Sequence, residues 1–192
     1  MSMKIILGSQ SAGRKRVLEK MGYEFEVMPA DINEKTIRFE DPVELTSALA
    51  NAKADALLLN IPKDTILITS DQVVVCDGKV REKPENESEA REFLETYELL
   101  PAETVTAVVV LNTATGKRVE GIDIAKIWFR QFSEDFIFKY IASGDPFLHA
   151  GGFDHEHPLM RQYVDRIEGD PDSITGLPKE LTERFIREVQ SK

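Results

Sequence analysis

Three observations predict a mixed α/β fold. Short apolar strands alternate with amphipathic helices along the 192 residues. Two hairpin signals, Asp77-Gly78 and Thr115-Gly116, demand antiparallel neighbours in part of the sheet. The run from Ile66 to Cys76 is apolar on both alternating faces and reads as an interior strand. At this length, residues 1–192 form one domain, or two small lobes sharing a sheet, with enough chain for a core.

Lys4 to Leu7 is a short strand, broken by Gly8-Ser9-Gln10-Ser11. Ser11 can cap an amphipathic helix running from Ala12 to about Met21. Arg14 falls on the Val17, Leu18, Met21 stripe and faces inward over the sheet end, while Lys15 and Arg16 look outward. Cations here have the wrong sign for the positive end of a helix. A bound anion, met by backbone amides, serine hydroxyls and arginine, would account for them. A solvated basic helix start is the plainer alternative, and the loop is neither a Walker A nor a dinucleotide fingerprint.

Asp41-Pro42-Val43-Glu44 opens a second helix, with a cap, a proline and an acid in order, ending near Leu59. Lys53 borders its apolar stripe between Leu49 and Leu57 instead of the water face, a place where a lysine can simply snorkel. Asp31-Ile32-Asn33-Glu34 supplies further carboxylates in the preceding loop. Inward-leaning cations beside two acidic sites suit a phosphorylated substrate and a divalent ion.

Asp71 stands inside the interior strand, where an unpaired carboxylate costs several kcal/mol in order of magnitude. With Asp77-Gly78 as the turn, paired positions sum to 155, so Gln72 faces Lys83 and Asp71 faces Pro84, with Lys83 diagonal to Asp71 and within reach of it. An Asp beside an ammonium stays charged and can bind metal or accept a proton. The alternative is a buried ion pair that only fixes register. Beyond Pro84 the reading gives a helix from Ser88, its cap, to Tyr97, then strands at 104–111 and 119–130. A helix over 134–143, a strand over 162–167 and a closing helix over 177–190 complete it.

A net charge of −10 argues against nucleic-acid and anionic-membrane partners and leaves room for a small anionic substrate met by a local cation cluster. The single cysteine, Cys76, forms no internal disulfide and suits a reducing cytosol. No apolar run approaches transmembrane length and no signal peptide is visible at the start. His149, His155 and His157 raise a zinc-hydrolase alternative, without a further ligand motif. Trp128 reads as a core or interface aromatic.

The stretches GSQSAGRKRVL at 8–18, KA at 53–54, TSDQVVVCDGKVREKP at 69–84, YIASGDPFLHAGGFDHEHP at 140–158 and IEGDPDSITGLP at 167–178 together resemble the Maf family of nucleoside triphosphate pyrophosphatases. The resemblance covers nearly the whole chain. It implies an elongated mixed sheet flanked by helices, with a cleft between two lobes as in the inosine triphosphate pyrophosphatases, commonly in a homodimer. It implies hydrolysis of a nucleoside triphosphate to monophosphate and pyrophosphate with Mg²⁺ or Mn²⁺, in the cytoplasm. Carried over by position, Asp71 matches the catalytic acid, and Lys53 and Lys83 the catalytic-site lysines. Ser9 and Arg14 match the phosphate loop, and Glu34 the acid that would share the metal with Asp71.

Gln72 and Glu156 resemble the 7-methyl-GTP subgroup, whereas Gly13 departs from it, since that subgroup tends to carry tryptophan there. Glu156 would accept hydrogen bonds from a guanine edge and favour the added charge of a methylated base. The alternatives are a dTTP/UTP pyrophosphatase and a nucleotide-binding regulator of septum formation without turnover.

Overall fold

A computed structural model of the chain describes residues 3–191. One seven-stranded sheet carries the fold, in the order β2-β1-β3-β5-β6-β7 with β4 paired to β3. The strands are β1 (Lys4–Leu7), β2 (Phe25–Val27), β3 (Thr65–Cys76), β4 (Lys79–Arg81), β5 (Ala102–Asn112), β6 (Arg118–Phe129) and β7 (Val164–Glu168). The helices are α1 (Ala12–Lys20), α2 (Pro42–Leu58), α3 (Glu87–Tyr97), α4 (Glu134–Ala142), α5 (Pro171–Thr175) and α6 (Lys179–Gln190). β1 runs parallel to β2 and β3, and every other pairing is antiparallel, so the sheet is mixed as the hairpin signals require.

Strand alternation sorts β3 onto two faces. Ile66 and Ile68 pack with Val17 and Leu18 of α1 and with Phe185 and Ile186 of α6. Leu67 points the other way, onto Ala50, Ala54 and Leu57 of α2. Further along, Val74 and Cys76 join a separate cluster with Phe93 and Leu94 of α3 and Phe136 and Ile137 of α4. Each such side chain, once buried, contributes about 1.5–3 kcal/mol. Two cores thus form at opposite ends of one long strand, with a cleft between them.

The cleft lies at a break in the sheet. β5 follows one edge of β3 from Ile66 to Val75. On the other edge β1 pairs from Thr65 to Ile68 and β4 from Val74 to Cys76, so 69–73 have no strand there. Asp71 is the middle residue of that gap. The hairpin register is as expected at Val74–Arg81, Val75–Val80 and Cys76–Lys79, then stops. Gln72 therefore does not pair with Lys83, nor Asp71 with Pro84. Pro84 has no N–H to extend the ladder, and the Glu82 carbonyl is taken by the Gly151 N–H at 3.0 Å. The cross-strand partner of Asp71 is Ala107 on β5.

Other boundaries shift for local reasons. Asn86, not Ser88, caps α3, accepting from the Glu89 N–H at 3.0 Å. The strand expected from 162 begins at Val164, because Arg161–Tyr163 form a 3₁₀ turn. α5 has no counterpart among the expected elements, although Asp170-Pro171 repeats the cap-and-proline signal of Asp41-Pro42. It occupies the start of what reads in sequence as the approach to the closing helix, which itself begins at Lys179. Trp128 is half-buried on β6 under the Arg166 guanidinium, 4.0 Å from its ring centre.

Candidate active site

A cleft of about 700 Å³ opens at the gap in the sheet. Asp71, Lys53, Arg14, Gln72 and Lys83 all line it. Asp71 sits on the α2 face of β3, and Lys53 lies there because the i+4 spacing from Leu49 turns it toward the sheet. Lys53 Nζ is 2.6 Å from Asp71 Oδ1 and 2.9 Å from Glu34 Oε1, so one ammonium bridges two carboxylates. Asp71 is 7% exposed and Lys53 9%. Burial pushes the Asp71 carboxyl above its ordinary range, and the nearby charges of Lys53 and Arg14 offset this only in part.

Arg14 reaches the same point from the opposite face. Its Nε donates to the Gly176 carbonyl at 2.9 Å, and its Nη1 to the Ser70 carbonyl at 2.8 Å and to Ser9 Oγ at 3.2 Å. Arg14 thereby occupies a carbonyl on the open strand edge, as the Gly8 N–H does one pair earlier on Ile68 at 2.8 Å. Three of its five donors are used, and the two on Nη2 remain for a ligand. Desolvation lowers its pKa from the ordinary value, against the pull of Asp71 and Glu34; the guanidinium still keeps its charge. Ser9 is buried behind the lining, accepting from the Ser11 N–H at 3.2 Å, and Ser11 in turn caps α1. Glu34 also stands behind Lys53 rather than in the lining.

Lys83 comes from the segment after β4, and among the described residues no ion pair holds it. The cleft therefore offers this ammonium in addition to the Arg14 guanidinium. Gln72, on the α1 and α5 side, donates to Thr106 Oγ1 at 2.8 Å and to the Ser173 carbonyl at 2.6 Å.

Glu156 is placed differently from the others. Its carboxylate accepts from Arg16 Nη2 at 2.8 Å and Lys20 Nζ at 3.1 Å, and it does not line the cleft. Burial raises its pKa, but the hydrogen bonds from Lys20 and Arg16 outweigh that and leave it lowered. Arg16, expected to look outward, instead turns to this loop and lines the cleft rim. Phe153, Asp154 and His155, the residues just before Glu156, do line the cavity, as do Asp145 and His149 earlier in the same loop. Burial lowers the His155 pKa, so the imidazole is neutral near neutral pH. No periodicity or motif in the sequence marks Asp145 or Asp154, because only the folded loop decides which of its acids turn inward.

The three histidines do not converge. His157 Nδ1 accepts the Leu159 N–H at 3.2 Å, and His149 lies 3.6 Å from Asp145. Among the described residues no three His, Cys, Asp or Glu side chains gather as a metal-ligand set. Gly13 packs α1 against α5 so closely that an added Cβ would stand 2.7 Å from the Thr175 carbonyl oxygen. A tryptophan there would require α5 to move.

A buried carboxylate ringed by lysine and arginine at a break in a mixed α/β sheet defines the class, an enzyme site for a phosphorylated substrate. Within that class the chain belongs to the Maf family, whose model, described as Maf-like protein, matches residues 4–189. A 7-methyl-GTP pyrophosphatase of Dictyostelium discoideum is 48% identical, covering 98% of each chain. A nucleoside triphosphate pyrophosphatase of a Synechococcus strain is 32% identical over 96% of this chain and 93% of its own. A dTTP/UTP pyrophosphatase of Vibrio vulnificus is 33% identical over 96% and 98%. By name these relatives are hydrolases of phosphoanhydride bonds. A solved nucleoside-triphosphatase (dITP/XTP pyrophosphatase) of Mycobacterium abscessus aligns over 66% of this chain and 73% of its own, at TM-score 0.39 and 15% identity. At that distance the likeness does not bear on the site.

Proposed function

We propose that this protein hydrolyses a nucleoside triphosphate, 7-methyl-GTP first among them, to the monophosphate and pyrophosphate. The observation that carries the reaction is Asp71, a buried carboxylate of raised pKa held open to a cleft between Lys53, Arg14 and Lys83. The similarity of 48% over 98% of both chains to a 7-methyl-GTP pyrophosphatase supports the substrate.

In this reading Asp71 accepts a proton from water as the water oxygen bonds to phosphorus. The phosphorus attacked is the α-phosphorus: its bond to the α–β bridging oxygen breaks, and the electron pair leaves with the departing pyrophosphate. Arg14, through Nη2, and Lys83 take up charge developing on the phosphoryl oxygens, with Lys53 holding Asp71 in place. Ser9 supports Arg14 from behind. Gln72 contacts the nucleoside, and Glu156 would do so only after releasing Arg16 and Lys20; Asp154, which lines the cleft with Arg16 Nη2 at 3.8 Å, is the carboxylate of this loop segment already open to a cationic base.

The donors fit a hard divalent ion. Asp71 and Glu34 already flank one positive charge, the Lys53 ammonium, at 2.6 and 2.9 Å. Mg²⁺ typically takes one or two carboxylates, with waters and substrate phosphates completing its shell. Asp71 and Glu34 would hold Mg²⁺ or Mn²⁺, which supplies charge neutralisation and an acidified water when bound. A cytoplasmic homodimer is the assembly proposed. No described helix is long and apolar enough to cross a membrane.

The test is a panel of 7-methyl-GTP, UTP, dTTP, CTP and ITP with Mg²⁺ or Mn²⁺, scored for pyrophosphate and monophosphate. Fastest release from 7-methyl-GTP is expected. Preference for UTP or dTTP would move the substrate to the pyrimidine class, and no release from any of them would leave a nucleotide-binding regulator.

A further inference from the structure

Gln72 follows Asp71 in sequence but lies on the other face of β3, and both protons of its amide are used. Nε2 donates to Thr106 Oγ1 at 2.8 Å and to the Ser173 carbonyl at 2.6 Å. A carbonyl oxygen only accepts, so the amide nitrogen has to be the atom facing Ser173. That leaves Oε1 as the atom turned to the cleft, on the side of Gly176, whose added Cβ would stand 3.6 Å from it. Thr106 and Ser173 are themselves fully buried and outside the lining. An exposed glutamine can flip freely and serve as donor or acceptor. Here a flip would set Gln72 Oε1 against the Ser173 carbonyl oxygen, two acceptors with no proton between them, and leave that buried carbonyl unpaired; the Thr106 hydroxyl, which can donate or accept, holds the amide in place in either sense.

We propose that the Ser173 carbonyl fixes Gln72 as a hydrogen-bond acceptor and that Thr106 is the positioning group that holds the amide in that place, so that Gln72 takes a donor on the nucleoside. The proposal rests on the nucleotide reading of the cleft. Ionised phosphates offer Oε1 no proton, which leaves base N–H groups and ribose hydroxyls as its partners. A guanine edge presents N1–H and N2–H₂ side by side. Uracil presents one N–H flanked by two carbonyls, which an acceptor meets with repulsion. Methylation at N7 withdraws electrons and makes N1–H the stronger donor. The locked amide thus favours 7-methylguanine over a pyrimidine by a group that never changes its polarity.

Binding of monophosphates tests this without requiring turnover. Wild type, Thr106→Val and Thr106→Ser are titrated by calorimetry with 7-methyl-GMP, 1,7-dimethyl-GMP, 2′,3′-dideoxy-7-methyl-GMP and UMP, and their Tm values are compared. Valine keeps the shape of threonine without its hydroxyl, and serine keeps the hydroxyl. Thr106→Val is expected to weaken 7-methyl-GMP about tenfold, the loss of one hydrogen bond, while UMP changes little and serine restores binding. If N1–H is the donor, the 1,7-dimethyl compound binds weakly to wild type and no longer responds to Thr106→Val. If a ribose hydroxyl is the donor, the dideoxy compound shows that pattern instead. Equal 7-methyl-GMP affinity of wild type and a folded Thr106→Val, or no binding by wild type, overturns the proposal. Triphosphate turnover measured alongside judges the wider reading separately, since hydrolysis with no Thr106 effect removes the lock and keeps the enzyme.

Discussion

Asp71 and Lys53 carry the residue-scale argument. Replacing Asp71 by Asn keeps the shape and removes the base, so turnover is expected to fall at least about a hundredfold with an unchanged circular dichroism spectrum. Near-normal turnover in such a folded variant would remove Asp71 from the role of base. Its raised pKa also sets a pH dependence. The carboxylate is needed ionised, so kcat/KM should fall as pH drops through a value above the ordinary carboxylate range, and Asp71→Asn should flatten that limb. Lys53→Met leaves two carboxylates facing each other without the shared ammonium, at an expected cost of about 3 kcal/mol at neutral pH. A carboxyl with a raised folded pKa favours folding below its unfolded pKa and loses that as pH rises through the folded one. The Lys53→Met deficit should therefore shrink on acidification; urea titrations at pH 5 and pH 8 that show equal deficits would contradict the pairing.

Elements set where those residues can stand. α1 approaches α5 through Gly13, and α5 in turn presents the Ser173 carbonyl to Gln72 and the Gly176 carbonyl to Arg14. Gly13→Ala should push the two apart and cost about 1–3 kcal/mol, with a weaker grip on Arg14 seen as a raised KM. A variant as stable and as active as wild type would mean the contact is not shared. This contact explains part of what the sequence concealed. The inward turn of Arg14 was legible from the Val17, Leu18, Met21 stripe, and Lys53 from its place beside Leu49 and Leu57. The anchoring of Arg14 by Gly176, 162 residues away, was not, because no local pattern encodes a meeting of segments so far apart.

At the scale of the whole molecule, β3 belongs to both cores, supplying Ile66 and Ile68 to one and Val74 and Cys76 to the other. Melting should follow a single transition, with Trp128 fluorescence and far-ultraviolet circular dichroism coinciding. Two separated transitions would mean that the lobes fold apart and that residues 1–192 are not one cooperative unit. The shared strand also makes the cleft. Because β1 and β4 each cover only part of one edge, the open stretch at 69–73 falls between the cores and exposes Asp71 to ligand.

The sequence by itself determined the mixed α/β class, the hairpin register at Val74 to Cys76, the capped starts of α1 and α2, and the residues around Asp71. Those follow from periodicity, turn chemistry and the cost of a charge inside an apolar strand, all of which act within a few residues. Only the tertiary structure decided that the register stops before Lys83 and that Lys53, not Lys83, holds Asp71. It also decided that Arg16 and Lys20 take Glu156 while Asp154 faces the cavity. These are choices among several partners of the right charge, and they are made by which segments the packing of α1, α5 and the loop after α4 brings within about 3 Å, the reach of a hydrogen bond.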